Sequence, residues 1–267
     1  MKKLTILAAA LAAMTFASCG GNKSAQSAEN EDSTKIFEQA QIEALIKVEL
    51  DSLASELGKL AQLPIVKVGE EGIQLTEQEK QVKPDYLLDP AVAENAVTLA
   101  EKYRTISALS VDKRIAALYD LPTDAYDAAI SKLAADINDP SFKAIEDATT
   151  IHETTQELYN AMSENGRINN FWQVVSASLV EQIYVLTQNT DKFISVFDDE
   201  SASNVTYRVV LLTDAIERLA KYDTELEPVV EAIQPLFVLN AISVDQLKTQ
   251  LAEAKDEIAV SRAALIK

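Results

Sequence analysis

Residues 168–190, INNFWQVVSASLVEQIYVLTQNT, decide the fold. Glu181 is the single charged side chain in this stretch, and Phe171, Trp172, Val175, Leu179, Ile183, Val185 and Leu186 spread round every face of a helix with 3.6 residues per turn. A helix that is apolar all round belongs in the middle of a bundle, with other helices on each side. Asn165-Gly166, just before it, supplies a left-handed turn, so helices over 140–165 and 168–189 form an antiparallel hairpin. A second apolar stretch, 204–215, carries charge only at Arg208 and Asp214 among Val205, Tyr207, Val209, Val210, Leu211 and Leu212. A lone buried charge is costly without a partner. The two stretches therefore predict that Glu181 approaches Arg208, with the hydroxyl of Tyr207 or Tyr184 completing a hydrogen-bonded cluster.

Working outward, the pattern is helix after helix. A long helix runs from a cap at Ser33 or Thr34 to about residue 62, with Ile42, Ile46, Leu50, Leu53, Leu57 and Leu60 on one stripe and Pro64 marking its end. Gly58 inside it is a weak point or a place where another backbone comes close. Further helices are predicted over 90–108, 111–119, 124–138, 191–197, 201–222, 225–240 and 244–265. Asp89, Ser110 and Thr123 are the expected caps, Pro90 and Pro140 stand at first helical positions, and Ser243 with Gln246 forms a capping box. Only 63–89 reads otherwise: Ile65–Val68 and Ile73–Leu75 flank Gly69-Glu70-Glu71-Gly72, which suits a small β-hairpin near 65–75. The expected fold class is thus all-α, a bundle of about nine or ten helices. A faint similarity between 111–116 and 190–195 suggests a duplicated helix, short helix, helix unit, and chance accounts for it equally well. No 34-residue period supports a solenoid.

Composition agrees with helices and excludes several functions. Six glycines stand in 267 residues, two of them Gly20 and Gly21, too few and too scattered for a phosphate loop or a dinucleotide fingerprint. With 24 basic and 42 acidic residues the net charge is −18, a surface that repels phosphate backbones and argues against nucleic acid. Cys19 is the lone cysteine, so no disulfide forms within the chain.

The front of the chain has its own logic. Lys2 and Lys3 precede an apolar run, Leu4 to Phe16, too short to span a bilayer, and Phe16-Ala17-Ser18-Cys19 closes it. These residues resemble the type II signal peptide of bacterial lipoproteins, although Phe16 stands where that family most often has Leu. The resemblance covers about nineteen residues. It implies cleavage before Cys19, acylation of its thiol and anchoring in the bilayer. Gly20, a residue other than Asp, implies the outer membrane rather than the inner. Two or three acyl chains, each buried methylene contributing about 0.8 kcal/mol, hold a protein stably. Residues 20–33, GGNKSAQSAENEDS, are polar and aperiodic, a flexible tether. The expected organisation is 1–18 cleaved signal, 19–33 lipidated tether and 34–267 helical domain.

Motifs for chemistry are sparse. His152 is the single histidine, which excludes paired Glu-x-x-His di-iron sites and HExxH zinc sites, and no nucleophile elbow is present. Asp198-Asp199-Glu200 lacks the alternating ligands and turn glycine of a calcium loop and fits a helix N-terminus, where acidic groups oppose the dipole. No metal or cofactor is expected, and no enzymatic role. Val244, Leu247, Leu251, Ala254, Ile258, Ser261 and Leu265 make a narrow seam that either pairs with the first helix or, through 244–265, docks an envelope protein or a second copy of the chain. The leading expectation is a membrane-anchored, non-catalytic interaction module. The alternative is a carrier for a small apolar or sugar-like ligand, with Trp172, Glu181, Tyr184 and Arg208 lining a pocket between helices. An enzyme of unknown class stands third.

Overall fold

A computed structural model of the chain describes residues 46–67, 72–139 and 155–266. The signal segment with Cys19, the tether, His152 and the first part of the helix expected over 140–165 lie outside the described residues. Among those described there are eleven helices, nine of seven residues or more, and no strand. They are α1 (46–59), α2 (Glu77–Lys80), α3 (Leu99–Leu118), α4 (Asp124–Ile137), α5 (Thr155–Glu164), α6 (Ile168–Gln188), α7 (Thr190–Ile194), α8 (Asp199–Leu219), α9 (Glu227–Ile233), α10 (Val244–Glu253) and α11 (Lys255–Leu265). Short 3₁₀ turns lie at Pro64–Val66, Pro90–Glu94, Thr224–Leu226 and Gln234–Val238.

The apolar stretch quoted first is α6, and it is the hub. It packs against α3, α5, α8, α9, α10 and α11, and its buried residues occupy every face, from Phe171 and Trp172 to Leu186 and Thr187. Phe171, Trp172 and Tyr159 of α5 meet edge to face, with centroids 5.0 Å apart for the Tyr159–Phe171 and Phe171–Trp172 pairs. Such contacts add to the burial of large rings. The turn that delivers α6 forms as expected: Gly166 has φ +68°, its N–H donates to Ser163 O, and the Arg167 N–H donates to Met162 O. These are the two hydrogen bonds of a Schellman motif.

Several expected boundaries shift for local reasons. The helices expected over 90–108 and 111–119 are a 3₁₀ turn capped by Asp89 and then one unbroken α3, capped by Thr98 with Glu101 in a capping box. Ser110, expected to cap, sits mid-helix and donates to the Ile106 carbonyl. Residues 111–116 therefore lie inside a long helix, whereas Thr190–Ile194 is a separate short one, and the suggested duplication has no structural counterpart. Thr123 stands at the start of α4 without a cap bond. The hairpin expected near 65–75 is corrected: Ile65 and Val66 belong to the 3₁₀ turn opened by Pro64, are buried, and lie beneath α6. Proline at a first position starts a turn readily, and apolar neighbours here are anchors rather than a strand.

The terminal seam kinks at Ala254 into α10 and α11. Leu247, Leu251, Ile258, Ser261 and Leu265 are buried, α11 packing on α6 and α9 and α10 on α6, α7 and α8. The expected partner of that seam, α1, meets α5 and α8: Tyr159 Oη donates to Asp51 at 2.7 Å, and Arg218 pairs with Glu49. A β-carbon on Gly58 would stand 3.3 Å from Gln156 Cβ, so this glycine marks the close approach of α5.

Candidate functional site

The most polar part of the core lies between α3, α6 and α11. On α6, Glu181 is 1 % exposed, and it does not meet Arg208. It meets Arg262 of α11: Nε donates to Oε2 at 2.8 Å and Nη2 to Oε1 at 2.7 Å, a bidentate ion pair. The face of Tyr184, one turn after Glu181, covers the guanidinium with the Arg262 Cζ 4.0 Å from the ring centroid. From α3, Asp112, fully buried, brings a second carboxyl whose Oδ2 is 3.3 Å from Arg262 Nη2 and accepts the Leu88 N–H at 2.6 Å. Tyr126 of α4 donates to the Leu88 carbonyl at 2.9 Å, so both main-chain groups of Leu88 are tied to the bundle.

The electrostatics follow from burial. Desolvation, with the Glu181 carboxylate beside it, pushes the Asp112 carboxyl well above the ordinary range. Burial also raises Glu181, opposed by its two bonds from Arg262. For Arg262 burial alone would favour loss of the proton, yet the Glu181 carboxylate outweighs it and the net shift is upward. Both carboxyls are thus pushed upward by burial, and only Glu181 has both oxygens held by the Arg262 guanidinium.

A second polar seam runs alongside. Arg104 of α3 donates from Nη1 to Gln173 Oε1 at 2.7 Å and from Nε to the Leu265 carbonyl at 3.1 Å, while Ser107 donates to the Val174 carbonyl. Arg104 thus closes the C-terminal end of α11, where cations are favoured.

Arg208 lies elsewhere. Its Nη2 donates to the carbonyls of Leu60 (3.2 Å) and Ala61 (2.8 Å) beyond the end of α1. The side chain is partly exposed along its length, but its Nε is sealed without a partner, and burial pushes the guanidinium down to about 10. A cavity of about 20 Å³ adjoins it, lined by Leu57, Thr155, Ser178, Gln182, Arg208 and Leu212 among others. That is room for about one water molecule. Trp172 is wholly inside the aromatic cluster, its Nε1 without a hydrogen-bond partner. The four residues expected to line one pocket therefore fall in three places: Glu181 with Tyr184, Trp172 in the core, and Arg208 beside α1.

Asp112, Arg104 and Arg262 were not singled out by sequence reasoning. Asp112 sits in Val111-Asp112-Lys113-Arg114, where charge density reads as a solvated face. A usable signal was the uncharged run Ser107-Ala108-Leu109-Ser110-Val111 just before it, whose buried residues, small at 107, 108 and 110, mark a face of α3 packed on α6. Asp198 behaves as expected, capping α8 through the Ser201 N–H at 2.7 Å, a bond that lowers its pKa. Among the described residues no group of three or more His, Cys, Asp or Glu is placed to hold a metal ion, and no helix is long and apolar enough to cross a membrane. The chain matches no protein-family model, no curated protein and no solved structure.

Proposed function

We propose that the chain is an envelope lipoprotein, held through Cys19 at the outer membrane, whose helical body serves as a non-catalytic interaction module. The lipid anchor rests on the residues Lys2-Lys3, the apolar run and Phe16-Ala17-Ser18-Cys19. The observation that carries the non-catalytic reading is the fate of the candidate pocket residues: Glu181 and Trp172 are consumed by internal contacts at 1 % and 0 % exposure. A carrier needs a cavity of some hundreds of Å³ with convergent polar groups. The space beside Arg208 falls far short of that. The apolar side of 244–265 is used inside the bundle, so a protein partner at this segment would meet its outer face, where Val260 is 68 % exposed.

Two measurements on the full chain in a Gram-negative host test this. Labelled palmitate should enter the protein and be lost, with release from the membrane fraction, in Cys19→Ala; an unlabelled or freely secreted protein would refute the anchor. A photo-crosslinker at Val260 should give one discrete adduct with an envelope protein. Crosslinking no stronger than at a control position such as Val82 would count against docking there.

A further inference from the structure

Two carboxyls, Asp112 and Glu181, share one guanidinium in the buried junction of α3, α6 and α11. Fully ionised, the trio would leave one negative charge without compensation, which a protein interior does not tolerate well. The hydrogen bonds show where relief is available. Arg262 serves both oxygens of Glu181, but Asp112 receives its donors, Leu88 N–H and Arg262 Nη2, on Oδ2 alone. Its Oδ1 is sealed and, among the described residues, accepts from no N–H or O–H. One nitrogen, Arg262 Nη2, reaches both carboxyls, Glu181 Oε1 at 2.7 Å and Asp112 Oδ2 at 3.3 Å, so the two acids crowd the same N–H group. Contact between two carboxyl oxygens is attractive only when one carries a proton.

We propose that the Asp112–Glu181 pair is a proton-binding site: the native fold takes up one proton, resident on Asp112 and donated to Glu181, and that proton latches the irregular 81–98 segment to the bundle through Leu88. Ionising Asp112 sets two carboxylates against each other beside one cation, and water must enter. The easiest route is the 81–98 segment, which has a single 3₁₀ turn and covers Asp112 with main chain, whereas α3 and α11 each pack firmly on α6. The other titratable groups near Asp112 come from the elements packed around it. Tyr126 from α4 is raised by burial to about 12, and Tyr86 from the segment is raised by burial and by Tyr119. Asp85 and Asp89 lie farther out, acting on Tyr86 and Tyr126, and Tyr184 meets Arg262 with its ring face.

The sign follows from linkage. A carboxyl raised in the fold binds its proton more tightly than in the unfolded chain, so its contribution is complete below the ordinary carboxylate range. It is lost as pH rises from there through the raised value, with the folding constant falling up to about tenfold per pH unit for one proton.

Urea unfolding of the full chain, followed by Trp172 fluorescence from about pH 5 to about pH 9, reads this directly. Asp112→Asn should stay folded, because its amide donates to Glu181 while its oxygen still accepts from Leu88. Its profile should be flatter by about one proton than that of the unaltered protein. Infrared spectra of the unaltered protein at neutral pH should show a protonated-carboxyl band that Asp112→Asn lacks, and exchange at the Leu88 amide should accelerate with pH beyond the ordinary chemical dependence. Identical pH profiles for the two proteins would overturn the proposal. So would the absence of the protonated-carboxyl band from the unaltered protein, a result that decides the matter even if the variant fails to fold.

Discussion

Glu181 and Arg208 sit on packed neighbours, α6 and α8, each an isolated charge in an apolar stretch, and the fold buries them by opposite means. Glu181 receives a full cationic partner, an aromatic lid and a second carboxyl, Asp112, that burial pushes well above the ordinary range. Arg208 receives, among the described residues, the main-chain carbonyls of Leu60 and Ala61, and burial shifts it toward deprotonation. The reason is rotation. Successive residues on a helix point about 100° apart, so Gln182 and Ser178 face the cavity that Arg208 lines, while Glu181 turns to α3 and α11. Two charges on touching helices are partners only if they share a face, and neighbourhood in the bundle does not guarantee it.

The contrast makes graded predictions for chemical unfolding. Arg262→Met strands two buried carboxyls and should cost about 3–5 kcal/mol, seen as a large fall in the urea midpoint; a change below about 1 kcal/mol would mean that the junction is wet. Arg208→Met should cost about 1–2 kcal/mol, since two carbonyl bonds are lost but a poorly compensated cation no longer needs burying. An effect equal to that of Arg262→Met would erase the distinction. Tyr184→Leu keeps the apolar cover and removes the ring face over the cation, for about 0.5–1 kcal/mol. Asp112→Asn should change neutral-pH stability least, by under about 1 kcal/mol, and its advantage over the unaltered protein should grow as pH rises.

Much of the architecture was legible in residues alone. The all-round apolarity of 168–190 identified the central helix, and Asn165-Gly166 gave its incoming turn. Asp89-Pro90 marked a true start, though of a 3₁₀ turn. Ser243 caps α10 through the Gln246 N–H at 3.4 Å, while the Gln246 side chain reaches the Ile242 N–H instead of closing the box. Illegible features depended on packing. Ser110 looks like a cap, but in a buried helix its hydroxyl bonds back to Ile106, and α3 continues. Ile65 and Val66 have strand-forming side chains, yet they find burial under α6 after a proline turn, and local propensity yields to that contact. The Glu181 partner lay 81 residues away among surface-like charges, where periodicity cannot rank one arginine above another.

A double-mutant cycle of Glu181→Gln and Arg262→Met, read by urea unfolding at neutral pH, bears most directly on the claim that these two residues satisfy each other. The account predicts a coupling of about 1.5–3 kcal/mol, with the parallel cycle of Glu181→Gln and Arg208→Met additive within about 0.5 kcal/mol. Additivity in the first cycle, or strong coupling in the second, would contradict it.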